Sequence, residues 1–238
     1  MKRLVVAFGF LTRLPMPQVT ADGDDFAAAI RAYPLVGLVI GAIVAATGHA
    51  GALLDPWTGA LMALVAWVAV TGALHLDGLG DLADGLGAAH RDRTRLLAVM
   101  ADPHVGSFGV VAIALQLLAK LVLLHALWAG GAGWALVAVP FAARIGPMVW
   151  ARWLPTLSAG LGATVARAVR LRDIVVWMLV LAAAAVVVPA LIVTPVLLFA
   201  FGRWLRWRVG GISGDCHGAG IELVETGLLL ALIVANRL

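Results

Sequence analysis

The chain has 238 residues, of which 63% are hydrophobic and 13% charged, with a formal net charge of +4 and a mean hydropathy of +1.01. Soluble domains carry roughly 25% charged residues, so this composition excludes a water-soluble globular protein. A surplus of Lys and Arg is ordinary in the cytoplasmic loops of membrane proteins and makes no case for nucleic acid, and the single cysteine, Cys216, excludes an intrachain disulfide.

The N-terminal stretch MKRLVVAFGFLTRLPMP has a basic start and a short apolar run, as a signal peptide has, but Arg13, Pro15 and Pro17 follow in place of a small-residue cleavage site. It is expected to be retained, interfacial or half inserted. Apolar runs at 32–54, 57–76, 105–128, 132–150 and 220–236 approach the roughly 17–25 residues that cross a bilayer. Basic residues orient them. Lys2, Arg3, Arg13 and Arg31 precede or open the first run; Arg91, Arg93 and Arg95 lie in 77–104; Arg152, Arg167, Arg170 and Arg172 in 151–173; Arg203, Arg206 and Arg208 in 203–219. The connections near 49–57 and 129–133 hold none. The basic segments are therefore expected on the cytoplasmic face. Basic segments flank the run 174–202 on both sides, and Pro189 and Pro195 interrupt it. A short hairpin turning near Pro189 meets both constraints. The expected fold is an all-α polytopic membrane bundle, one integral domain over 1–238 with about seven apolar segments and an external C-terminus. Trp57, Trp128, Trp150 and Trp153 flank spans as an aromatic belt does, and Lys120, deep in its run, is expected to face the interior or pair with a carboxylate.

Chemistry concentrates in two stretches. In HLDGLGDLADG, 75–85, the carboxylates of Asp77, Asp81 and Asp84 are spaced by four and three. On a helix they share a sector of roughly 60°, so their repulsion calls for a cation, and hard oxygen donors suit Mg²⁺. A solvated helix start explains one or two such residues, not three among Gly78, Gly80, Gly85 and Gly87. His75, two residues before Asp77, points roughly 160° away on a continuous helix. It reaches the carboxylates only if the glycines unwind the segment. The second stretch is GGISGDCHGAGIELVETG, 210–227. Its glycines suit a turn that offers amides, including that of Gly214, to phosphate oxygens. Asp215, His217, Glu222 and Glu225 stand at the mouth of the last span, and acidic groups in a membrane are functional by default. Arg13, Arg31 and Arg144 sit beside apolar sequence and are candidate phosphate contacts; Arg91, Arg93 and Arg95 serve topology equally well.

Taken together, these segments resemble the cobalamin synthase family. The matching pieces are FLTRLPMP at 10–17, YPLVGLVIG at 33–41, HLDGLGDLADG at 75–85, DPHVGSFGVVA at 102–112, ARIGPMVW at 143–150 and GGISGDCHGAGIELVE at 210–225. Ser213 stands where the family commonly has threonine, and His104 where an arginine is usual. The resemblance implies a Mg²⁺-dependent transferase of the bacterial inner membrane. It would join adenosylcobinamide-GDP to α-ribazole or its 5′-phosphate and release GMP, with the lipid bilayer around it and a homo-oligomer open to it. Asp77 and Asp81 would hold Mg²⁺, with Asp84 a further ligand or the base. Asp215 and Glu222 would hold a second metal or orient the nucleophile, and Arg13, Arg31, Arg144 and Gly214 would contact phosphate. Two other classes are weighed against this. A CDP-alcohol phosphotransferase carries D-G-x-x-A-R, whereas Asp77-Gly78 is followed by Leu79-Gly80-Asp81-Leu82. A cation transporter places carboxylates near span centres, whereas these gather at span ends.

Overall fold

A computed structural model describes residues 1–89, 92–157 and 161–237, with residues 161–163 as backbone only. Arg91 lies outside the described residues. Among them the chain is helical, with one isolated parallel bridge between Thr156 and Ile212.

Helix α1, Lys2–Leu11, has 10 residues, about 15 Å, too short to cross a bilayer. It turns Ala7 and Leu11 inward, and Lys2 pairs with Asp25 at 2.5 Å. Helix α2, Gly23–Ala29, passes through a 3-10 turn into α3, Tyr33–Ala52. Helix α4, Pro56–Thr71, returns alongside: Asp55 caps it by accepting from the amides of Trp57 and Thr58, and Pro56 occupies its first position. Glycines bring α3 and α4 together, since a Cβ on Gly51 would lie 2.7 Å from the Thr58 carbonyl oxygen.

Here the structure corrects the expected span 57–76. Helix α4 ends at Thr71 because Gly72 takes the left-handed conformation, φ 61°. Ala73 follows at φ 60°, and α5, Leu74–Ala88, departs at 85° to α4. The aspartate stretch thus has a helix of its own. Beyond it come α6, Arg93–Met100, and α7, Ser107–Ala129; then α8, Ala138–Ala143, and α9, Gly146–Trp153, after a 3-10 turn. The remainder is α10, Leu161–Ala168; α11, Leu171–Val187; α12, Thr194–Arg208; and α13, Gly214–Ala235.

Among the described residues five helical stretches are long and apolar enough to cross a membrane, or six if α4 and α5 count as one broken span. Helix α11, at 17 residues, is the short segment on which an expected count of about seven depends. The chain does break where the prolines stand: a 3-10 turn covers Pro189–Val193. Both ends of this run lie together, because Val169 shares a cavity with Leu154, Pro155 and Thr156, and Thr156 bridges to Ile212. Of this run, Pro189–Arg208 alone is long and apolar enough to count as a span.

The outer surface carries large apolar side chains in number, Leu115, Leu118, Val186, Ile192, Val196 and Phe199 among them, each more than half exposed. Such a surface is stable in lipid and unstable in water, so the chain is a multi-pass membrane protein. Trp150 departs from the expected aromatic belt. It is fully buried, and its indole N–H donates to the Leu198 carbonyl at 2.9 Å.

Candidate functional site

The site is built where α5 crosses α13. At the crossing α5 offers Gly78 and α13 offers Gly218. A Cβ on Gly78 would lie 2.7 Å from the Asp215 carbonyl oxygen and 2.8 Å from its Cα, and one on Gly218 would lie 3.2 Å from the His75 Cα. Only backbones without side chains approach so closely, and the approach sets Asp77 and Asp81 beside Asp215, far away along the sequence. Asp81 feels the charges of Asp77, Asp215 and Asp84 together. Ser213 caps α13, its hydroxyl accepting from the Cys216 amide at 3.2 Å and lying 3.3 Å from the Asp215 carboxylate. Gly214 is exposed at the helix start with open space at its Cα, where free amides favour an anion.

Beneath this crossing lies a cavity of about 500 Å³, bordered by Asp77, Ser213 and Asp215 on one side and by Phe26, Tyr33 and Ile221 on the other. His75 and His217 also border it. Each histidine has one ring nitrogen buried without a hydrogen-bond partner, Nε2 of His75 and Nδ1 of His217. Helix α5 does not unwind, yet His75 and Asp77 both border the cavity. Arg13 lies over the α4–α5 corner: its amide donates to the Val70 carbonyl at 2.8 Å, and its side chain covers Gly72.

Four predicted site residues have other partners. Asp84 is buried, and its two oxygens accept from the amides of Gly106, at 2.7 Å, and Gly109, at 2.8 Å. It therefore anchors the start of α7 to α5. Glu222 lies inside the bundle, 2.7 Å from the Lys120 ammonium, and accepts from the Gln116 amide at 2.8 Å. Arg144 is fully buried. It donates to Glu225 at 2.7 Å and to the Pro140 carbonyl at 3.1 Å, and its other nitrogen lies 3.4 Å from His75 Nδ1. Lys120 also donates to Glu225, at 2.6 Å, which closes a core of two cations and two carboxylates. Arg31 pairs with Asp173 at 3.2 Å and donates to the Ala168 carbonyl at 2.9 Å. Neither Glu222 nor Arg144 is brought to the aspartates, and Lys120 pairs as its position predicts.

Among the described residues no lysine or arginine pairs with Asp77, Asp81 or Asp215, and no three His, Cys, Asp or Glu side chains are drawn up at coordinating distance. The donor set is thus a few unneutralised carboxylates with open space before them. That fits a hard cation which takes one or two carboxylates and completes its shell with phosphate and water.

The fold and the site define a helical membrane bundle with an acidic face at one end, beside a mostly apolar cavity. The chain belongs to the cobalamin-5-phosphate synthase family, whose model matches residues 3–233. Three similar proteins are each called adenosylcobinamide-GDP ribazoletransferase. That of Novosphingobium aromaticivorans is 59% identical over 240 residues, 99% of this chain and 98% of the relative. That of Laribacter hongkongensis is 56% identical, with 100% and 99% covered, and that of Thiobacillus denitrificans is 47% identical, with 97% and 94% covered. No solved structure matches the chain.

Proposed function

We propose that this chain is a Mg²⁺-dependent adenosylcobinamide-GDP ribazoletransferase of the bacterial inner membrane, with its acidic face toward the cytoplasm. The observation that carries the reading is the Gly78–Gly218 crossing, which brings Asp77 and Asp215 to the border of one cavity, with Asp81 close enough to feel both charges. In the reaction an acceptor hydroxyl of α-ribazole or its 5′-phosphate attacks the phosphorus on the cobinamide side of the diphosphate. A new P–O bond forms, the bond to the bridging oxygen breaks, and GMP leaves with that oxygen. Asp77 and Asp81 would hold the Mg²⁺, which supplies charge neutralisation and Lewis acidity at the diphosphate. Asp215, partly buried beside the Ser213 hydroxyl, takes the proton of the attacking hydroxyl. The exposed Gly214 amide region and Arg13 receive phosphate oxygens. Asp84 serves by fixing α5 to α7. Arg144 and Glu222 serve by holding the bundle, with their charges matched inside it.

That matching also counts against a cation carrier, because the carboxylates within the bundle, Glu222 and Glu225, are already paired with Lys120 and Arg144. The deciding experiment incubates detergent-purified protein with adenosylcobinamide-GDP, α-ribazole and Mg²⁺. GMP and adenosylcobalamin should appear in equal amounts, and EDTA should stop both. No GMP release with all three present would overturn the reading, and full turnover in EDTA would overturn the metal.

A further inference from the structure

We propose that the cavity under the α5–α13 crossing is the subsite for the acceptor's base, and that it selects a flat, largely apolar heteroaromatic bicycle. This rests on the transferase reading above and says which substrate enters where. Three observations carry it. The cavity measures about 500 Å³, within the roughly 300–1,000 Å³ of small-molecule sites; a nucleoside fits, whereas a corrin ring with its side chains does not. Its apolar lining includes the rings of Phe10, Phe26 and Tyr33. Phe10 meets Phe26 edge-on at 5.1 Å and stacks with Tyr33 at 6.2 Å, giving ring faces on which a planar base stacks. The His75 and His217 rings, each with a buried nitrogen that lacks a partner, border the same space. His217 is fixed by stacking on Trp150 at 6.1 Å.

The polarity of the cavity decides between the two bases in the reaction. On the reading above, Asp77 and Asp215 are engaged by the cation and the attacking hydroxyl, so guanine, with donors and acceptors around most of its edge, would bury several of them unpaired against Phe26, Tyr33 and Ile221, which is costly. The benzimidazole of α-ribazole has an apolar benzo edge and one free ring nitrogen. It places carbon against the aromatic wall and has few polar atoms to satisfy, which the two histidines can serve. With the base so seated, the ribose lies toward Asp77 and Asp215, where its hydroxyl meets the diphosphate. The guanosine half then stays outside this cavity.

The test is steady-state kinetics on Phe10→Ala and Phe26→Ala, varying each substrate in turn. Phe10 is 43% exposed at the cavity mouth, so its truncation leaves the core packing intact. Loss of uniform binding raises KM with kcat little changed. We expect KM for α-ribazole to rise about tenfold, with KM for adenosylcobinamide-GDP and kcat each within about threefold of the parent. A rise confined to the donor's KM, or no change in either KM in correctly folded variants, overturns the assignment. Should both variants elute as aggregates in detergent, the parent decides the matter with free 5,6-dimethylbenzimidazole. Inhibition competitive with α-ribazole supports the subsite; inhibition competitive with the donor, or none, overturns it. Equilibrium dialysis of α-ribazole against the parent and Phe10→Ala proteins separates this idea from the reaction. Weakened binding with no turnover in the parent would leave the subsite standing and the transferase reading refuted.

Discussion

Asp77→Asn and Asp81→Asn each keep the side-chain shape and remove one charge from a face that has no protein counter-ion among the described residues. Turnover should fall at least roughly 100-fold, the scale of a few kcal/mol of transition-state charge stabilisation, while protein yield stays at the parent level. Asp84→Asn should behave differently. Its carboxylate accepts from two amides at the start of α7, and charge-assisted bonds of this kind contribute about 1.5–3 kcal/mol. Thermal unfolding in detergent should shift down, with specific activity per folded molecule retained to within about tenfold. Equal losses of specific activity in all three variants would return Asp84 to the chemistry. The shared face of the three aspartates was legible from their spacing, because helical period is a local property. The difference among them was not. Gly106 and Gly109 stand 22 and 25 residues further on, and nothing in the aspartate stretch says which member they will occupy.

At the scale of elements, the apolar runs announced the helices, and the basic residues between them announced which ends belong together. The corner at Gly72 did not announce itself. A glycine within an apolar run reads as a tolerated defect, and the left-handed Ala73 carries no sequence signal at all. The crossing of α5 on α13 yields a sharp test. Gly78→Leu would drive a side chain into the Asp215 backbone, 2.7 Å from where its Cβ must go, so the helices must part and activity should fall to background in protein that still inserts. Gly9→Ala in α1, where a Cβ meets nothing within 4 Å, is the control and should match the parent. Retained turnover in Gly78→Leu would show that the close approach is dispensable. The hairpin of α11 and α12 is tested by single cysteines at Thr94, Arg206 and Leu54 in a Cys216→Ala background, all three sites being exposed. An impermeant thiol reagent should label Leu54→Cys in intact cells and reach the other two only after permeabilisation. Labelling of Arg206→Cys from outside would mean that 171–208 crosses once.

For the molecule as a whole, charge is arranged at two depths with opposite character. Deep in the bundle, Lys120 and Arg144 neutralise Glu222 and Glu225 through bonds of 2.6–2.7 Å, and removing one member of such a buried set costs about 3–5 kcal/mol. At the α5–α13 end Asp77, Asp81 and Asp215 have no lysine or arginine partner among the described residues, and Asp77 and Asp215 border the cavity. The sequence shows both sets as acidic residues near span mouths; only packing tells which have cations beside them, since Lys120 and Arg144 come from elements far away in the chain. That division predicts how variants combine. If Asp81 and Asp215 serve one phosphoryl transfer, removing either already disables the unit, and the losses are not multiplicative. Asp215→Asn alone should therefore cost roughly 100-fold or more in turnover, and Asp81→Asn with Asp215→Asn should be scarcely worse than the more damaging single change. Asp215 also lies in the first turn of α13, where a carboxylate favours the helix by about 0.3–1 kcal/mol. A purely structural Asp215 would lower yield and leave specific activity near the parent's. Turnover is therefore to be measured per monodisperse molecule recovered from detergent gel filtration. Full specific activity in Asp215→Asn, or cleanly multiplied losses in the double variant, would confine the chemistry to α5 and leave the start of α13 as scaffold.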